Sequence, residues 1–164
     1  MLTATVIVGN PKPASRTRDA ALRLAAALNA DARVIEVSEL GAGLLTFGDA
    51  TVGKAVEQTQ STDLVIAACP TFKGTYTGLL KLFLDQFGTG TGLAGQVAIP
   101  LMLGAGPAHA LAPDLTLKPV LVELGACCPA QGLYQLDSRY TEDGALDSWI
   151  SAWGEAVLTC SRKD

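Results

Sequence analysis

Five short apolar runs punctuate the chain: Thr3–Val8, Arg33–Val37, Leu64–Cys69, Val97–Leu103 and a weaker Leu133–Leu136. Uninterrupted runs of this length predict strands buried on both faces. Helical spacing fills the gaps between them. Arg18–Leu28 sets Ala21, Leu22, Ala25, Ala26 and Leu28 along one stripe. Gly78–Phe87 gathers Leu79, Leu80, Phe83, Leu84 and Phe87 on one face, with Lys81, Asp85 and Gln86 elsewhere. Gly53–Gln60 is more polar and more weakly patterned. Ala108–Leu124 reads as a long helical stretch that holds Pro113 and Pro119, and Ser148–Thr159 carries Trp149, Ile150, Trp153 and Val157.

Strand and helix therefore alternate five times. Strict alternation implies a parallel sheet with helices on both faces. The expected fold is α/β, a flavodoxin-like three-layer sandwich with strand order 2-1-3-4-5, whose ligand crevice lies beyond the first and third strands. At 164 residues the chain is expected to form a single domain over 1–164. There is no internal repeat, low-complexity segment or dividing linker.

Composition narrows the function classes. Charged residues make up 17% and hydrophobic ones 49%, against about a quarter charged in an ordinary soluble domain. That shortage fits a surface covered by another subunit, and equally an Ala- and Gly-rich bias. The net charge of −4 and the lack of a Lys/Arg cluster argue against nucleic acid. The run Met1–Val8 has no charged flank and is too short for a signal or a membrane span, so a cytoplasmic, membrane-free protein is expected. The four cysteines, Cys69, Cys127, Cys128 and Cys160, form no C-x-x-C pair, and with His109 the lone histidine no metal site is expected. They read as small buried thiols in a reducing compartment.

Three motif-like stretches fail on context. Gly90–Gly95 spells G-x-G-x-x-G but follows a helix and precedes a strand, the reverse of a dinucleotide fingerprint. Gly48–Ala55 approaches a P-loop, yet Ala55 stands where a hydroxyl must reach magnesium. Cys69 could be paired with His109 as a nucleophile only if it were accessible, and it ends a buried strand before Pro70.

The chemistry sits in three loops that follow strands. Gly9–Thr17 leaves the first strand and enters a helix; Ser15 and Thr17 can cap that helix, and Lys12 and Arg16 add positive charge. A helix N-terminus with hydroxyls and cations but no glycine triplet suits a single terminal phosphate, as in FMN, better than a pyrophosphate. Pro70–Thr77 leaves the third strand and forms the other wall of the crevice. Phe72 and Tyr76 offer aromatic contact, Gly74 permits close approach of a flat ring, and Thr77 can cap the next helix. Gly104–His109 leaves the fourth strand, with glycines that free backbone N–H groups to face the ring's pyrimidine edge.

These loops resemble the NADPH-dependent FMN reductase family, most closely the branch that supplies reduced flavin to alkanesulfonate monooxygenases. The family's G-S-P-R-x-x-S-like loop is matched by Gly9-Asn10-Pro11-Lys12 and Ser15. Its P-V-Y-K-x-x-Y-[ST]-G flavin loop is matched by Pro70 to Gly78, with Leu80-Lys81 and Leu84-Asp85 downstream. The branch's G-G-x-x-A-H and L-K-P-V-L are matched by Gly104 to His109 and Leu117 to Leu121. The resemblance implies that Asn10, Lys12, Ser15, Arg16 and Thr17 hold the FMN phosphate. It implies that Pro70, Thr71, Phe72, Lys73 and Gly74 line the isoalloxazine, with Gly104, Ala105 and Gly106 nearby. No side chain is assigned a covalent catalytic role, and His109 reads as a structural histidine near a helix start. Asn10, Lys12 and Phe72 replace the usual Ser, Arg and Tyr, and Leu115 stands where the branch has a Tyr in its subunit-contact helix. The segment after Leu136 is also shorter.

The implied activity is hydride transfer from NADPH or NADH to FMN by a homodimer or homotetramer, with a two-component monooxygenase as partner. An FMN-bound quinone or azo-compound reductase and a flavodoxin-type electron carrier are the alternatives on this scaffold. The mild charge of −4 speaks against the carrier, which usually has a strongly acidic face.

Overall fold

In the computed structural model, which describes residues 1–161, the apolar runs become one five-stranded parallel sheet. Its strands are β1 (Thr3–Val8), β2 (Asp31–Glu36), β3 (Leu64–Pro70), β4 (Val97–Gly104) and β5 (Leu133–Leu136), in the order β2-β1-β3-β4-β5. The sheet is in register from Thr3↔Asp31 and Ala4↔Leu64 to Leu64↔Val97 and Leu101↔Leu133. This is the flavodoxin-like order expected from the alternation. The last three residues of the expected 1–164 domain, 162–164, lie outside the described residues.

The period of two along each strand divides the core into two layers. Ala4, Val6, Val8, Ile66, Ile99 and Leu103 face one side with helices α1 (Arg16–Ala27) and α5 (Ala145–Ser161). Ile7, Val65, Ala67, Cys69 and Met102 face the other, with helices α2 (Ala50–Gln60), α3 (Gly78–Leu84) and α4 (Lys118–Glu123). Trp149 pins α5 by donating its indole N–H to the Gln131 carbonyl at 2.7 Å.

Several boundaries differ from the sequence expectation, each for a local reason. α2 begins at Ala50, ahead of Gly53, because Asp49 caps it by accepting from the Thr51 and Val52 amides at 2.9 and 3.0 Å. β2 starts at Asp31, two residues early, carried by its pairing with β1. A 3-10 segment over Val37–Leu45 had no strong pattern to announce it. The expected long helix over 108–124 is broken. Pro113 and Pro119 lack the amide that continues a helical ladder. The chain forms instead a 3-10 turn (Pro107–His109), a π-helical turn (Pro113–Leu117) and the short α4.

The thiols also depart from expectation. Cys69 is buried, but Cys127 and Cys160 are exposed and Cys128 is half-buried.

Candidate active site

All three loops singled out by sequence emerge at the carboxyl edge of the sheet, where its order reverses around β1 and β3. Two hydrogen bonds tie the first loop to the second. The Gly9 amide donates to the Ala68 carbonyl at 2.8 Å, and the Thr77 hydroxyl donates to the Gly9 carbonyl at 2.6 Å. The same hydroxyl caps α3 by accepting from the Leu80 amide at 3.1 Å. Gly9 permits this approach, since a Cβ there would lie 2.5 Å from the Leu80 Cβ.

Within the first loop Asn10 acts as a brace. Its Oδ1 accepts from the Lys12 amide at 2.9 Å, and its Nδ2 donates to the Thr17 hydroxyl at 3.0 Å. Ser15 is the N-cap of α1, and its hydroxyl accepts from the Arg18 amide at 3.3 Å. That bond leaves the first helical amides, those of Arg16 and Thr17, without an intrahelical acceptor and available to an anion. Lys12 is exposed. Arg16 does not stand free: its Nη1 donates to Asp137 Oδ2 at 2.6 Å and to the Asp137 carbonyl at 3.2 Å. Glu36, at the end of β2, supports the loop from outside. Its Oε1 accepts from the Ala14 amide at 3.1 Å and lies 3.5 Å from Arg18 Nε.

The second loop is a two-residue hairpin. Lys73 and Gly74 have φ of +52° and +81°, the handedness a type I′ turn requires. Paired bonds between Phe72 and Thr75, 2.9 and 3.2 Å, close it. The left-handed conformation costs Lys73 about 1–2 kcal/mol, so the surrounding bonds hold the tip in one shape. Phe72 is 50% exposed and free to meet a ring. Pro70 ends β3, and the next amide, of Thr71, donates to the Leu103 carbonyl at 2.7 Å, which joins this loop to the third.

In the third loop Gly104 is buried at the end of β4, Ala105 is exposed and Gly106 half-buried. The Tyr134 hydroxyl donates to the Gly106 carbonyl at 2.6 Å and fixes its direction. Burial pushes the Tyr134 phenol above its ordinary value, so it stays a donor at neutral pH. The Thr71 hydroxyl lies buried beside that phenol and offsets part of the shift by hydrogen bonding. His109 covers the hairpin tip, its Nε2 3.5 Å from where a Gly74 Cβ would be.

The proposed site residues thus sit on loops that follow β1, β3 and β4, and Asn10 and Thr17 are occupied with each other. Sequence reasoning missed Asp137, Tyr134 and Glu36. Only Tyr134 left a trace there, as an aromatic with a polar tip inside an apolar strand. Burial also raises the Cys69 thiol to about 12, which removes it from nucleophilic chemistry. No group of His, Cys, Asp and Glu among the described residues could hold a metal ion.

Clefts of about 380 Å³, beside Gly74, His109 and Leu115, and about 370 Å³, beside Ala14 and Glu36, adjoin these loops. A larger one, about 460 Å³, lies beside Leu2, Asn29 and Asp63, which precede β1, β2 and β3 at the opposite edge of the sheet.

The profile of the family described as NADPH-dependent FMN reductase matches residues 2–141. A protein of Escherichia coli strain K12 named FMN reductase (NADPH) is 42% identical over 83 residues, 51% of this chain and 43% of that protein. One of the same name from Pseudomonas putida is 38% identical over 77 residues, 47% of this chain and 39% of that protein. The matched stretches therefore span about two fifths of the length of these curated relatives. The apo form of an NADH:FMN oxidoreductase superposes with a TM-score of 0.88 and 30% identity, covering 100% of this chain and 92% of that one.

Proposed function

The chain belongs to the NADPH-dependent FMN reductase family, and on that premise we propose that it is an oxidoreductase which reduces FMN with NADPH at the carboxyl edge of its sheet. One observation carries the assignment. The capped N-terminus of α1 follows a loop that is hydrogen-bonded to the segment carrying the Phe72–Gly74 hairpin, which is itself bonded to the end of β4 beside the Gly104–Gly106 loop. These residues fit FMN. The free helix amides and the Arg16 guanidinium take an anion.

In this reading Ser15, Thr17 and the Arg16 and Thr17 amides bind the phosphate, Asn10 holds the loop in shape, and Lys12 adds charge. Pro70 to Gly74 flank the ring. The Ala105 and Gly106 amides face its pyrimidine edge, where oriented donors stabilise negative charge as it develops. FMN, when bound, supplies the hydride acceptor at N5; the chain's task is to hold nicotinamide and ring together and to exclude misalignment.

The finer reading is a single-domain cytoplasmic protein that passes reduced FMN to a flavin-dependent monooxygenase. The sequence resemblance at 70–78, 104–109 and 117–121 supports it. Exposed Leu82, Leu111, Leu115 and Val122, from 37% to 70% accessible on α3, the stretch before the π-turn, the π-turn and α4, support a homodimer or homotetramer. A second reading, an FMN-bound quinone or azo-compound reductase, is favoured by the cleft beside His109, whose wall at Leu115 is apolar.

NADPH consumption by the purified protein, with and without added FMN, tests the activity: it should rise and saturate with FMN. Arg16→Ala or Lys12→Ala should weaken FMN about tenfold and riboflavin far less, since a charge-assisted hydrogen bond contributes roughly 1.5–3 kcal/mol. Equal losses for the two flavins would remove the phosphate assignment.

A further inference from the structure

We propose that Asp137 is a positioning residue that sets the guanidinium of Arg16 for the phosphate of FMN. The proposal rests on the reading of the Gly9–Thr17 loop as the phosphate site.

Arg16 is the first residue of α1, and its side chain is 59% accessible. An arginine so exposed would sample many rotamers, and ordering it on binding costs affinity. Here it is already ordered. Two oxygens of one residue, Asp137 Oδ2 and Asp137 O, accept from the same nitrogen, Nη1. A guanidinium has a planar array of five N–H groups. With Nη1 engaged, the Nε and Nη2 edge remains free, and that edge is a fork suited to two oxygens of a phosphate.

Asp137 is itself fixed. Its amide donates to the Gly104 carbonyl at 2.9 Å, which anchors it to the third loop. The segment that follows docks on α1: the Tyr140 hydroxyl donates to Asp19 Oδ2 at 2.9 Å, and Arg23 Nε donates to the same oxygen at 2.7 Å. Arg16 thus spans from the first loop to the end of β5, 121 residues away in sequence.

The Asp137 carboxylate also repels a phosphate. That repulsion is screened at an exposed site, and it acts from the far side of the guanidinium. Loss of the ordering is therefore the larger effect, and removing the carboxylate should weaken FMN.

The test is a double-mutant cycle read as dissociation constants for FMN and riboflavin by flavin fluorescence. It compares the wild type with Asp137→Ala, Asp137→Asn, Arg16→Ala and the Arg16→Ala/Asp137→Ala double variant, with Tm recorded for each. Asp137→Ala should weaken FMN about threefold to fivefold, the scale of an exposed ion pair, and leave riboflavin unchanged. Asp137→Asn, which keeps an acceptor oxygen, should fall between. In the Arg16→Ala background Asp137→Ala should have no further effect. Unchanged or tighter FMN in Asp137→Ala would overturn the proposal, as would an equal loss for riboflavin or a loss that persists without Arg16. If Arg16→Ala itself leaves the FMN-to-riboflavin ratio unaltered, the phosphate site falls, and the proposal with it. If Arg16→Ala raises that ratio of dissociation constants and Asp137→Ala does not, only the positioning role falls.

Discussion

Gly104 shows how one missing side chain shapes the crevice. A Cβ at this position would collide with the Tyr134 hydroxyl, the group that holds the Gly106 carbonyl. Gly104→Ala should displace Tyr134, break that bond and let the third loop turn. Overpacking of this kind costs about 1–3 kcal/mol of stability, and loss of oriented donors should weaken FMN roughly fivefold. Thermal melts and FMN titration of the variant check both; an unaltered FMN affinity would separate the third loop from the site. Tyr134 and Gly104 also mark the limit of the sequence at this scale. Ser15 and Thr77 were readable as caps because capping is local, fixed by the next three residues. The pairs Arg16–Asp137, Tyr134–Gly106 and Thr77–Gly9 join residues 121, 28 and 68 positions apart. No local pattern encodes which distant polar groups the topology brings together.

At the scale of elements, strands were the most legible, because burial on both faces forces continuous apolar runs such as Leu64–Cys69. Helices were less so where prolines intervene. The spacing from 108 to 124 is helical in its apolar positions, yet Pro113 and Pro119 interrupt the ladder, and the chain widens into a π-turn. The hairpin Phe72–Thr75 was visible only as a loop; its shape depends on a left-handed Lys73 that composition does not announce. The docking of the post-β5 segment on α1 yields a prediction of its own. A hydrogen bond from Arg23 holds the Asp19 carboxyl below its ordinary range, aided by Tyr140 and opposed by burial. A depressed carboxyl contributes stability that is present above the unfolded pKa of about 4 and is lost as pH falls through the folded value. Both partners of the Asp19–Arg23 pair are about half accessible, so the contribution is small, a few tenths of a kcal/mol. Wild type should melt slightly above Asp19→Asn at pH 7, and the gap should close as pH drops from about 4 to 2. A gap that persists at pH 2 would place the effect in packing and not in the charge.

For the whole molecule, the alternation of five strands and five helical patterns was enough to give sheet order, because parallel strands need crossovers and these pack on both faces. It also located the crevice, since loops at the carboxyl ends of β1, β3 and β4 must converge. Sequence did not reveal how that crevice is charged, and this bears on whether FMN stays or leaves. Three cations lie on or beside the Gly9–Thr17 loop, the proposed phosphate site: Lys12, Arg16 and Arg18. Two are already paired, Arg16 with Asp137 at 2.6 Å and Arg18 with Glu36 at 3.5 Å. A phosphate that carries close to two negative charges meets a loop whose positive charge is largely balanced. The ring's side is no more enclosing: the hairpin is two residues long at its tip and Phe72 is half accessible. Leu115, 70% exposed, adds no aromatic cover. A flavin held by helix amides, Lys12, the outer edge of a charge-balanced Arg16 and one aromatic should exchange with solution. We therefore expect FMN to act as a diffusible substrate that leaves reduced, consistent with delivery to a separate oxygenase. Protein purified without added flavin should be nearly colourless, and NADPH oxidation should depend on added FMN with a hyperbolic response. Because the attraction is mainly electrostatic, FMN affinity should fall as salt rises from 50 to 500 mM, estimated at several-fold from the shortening of the screening length. Yellow protein that keeps one FMN per chain through gel filtration, and turns over without added flavin, would overturn this and favour the quinone or azo-compound reductase.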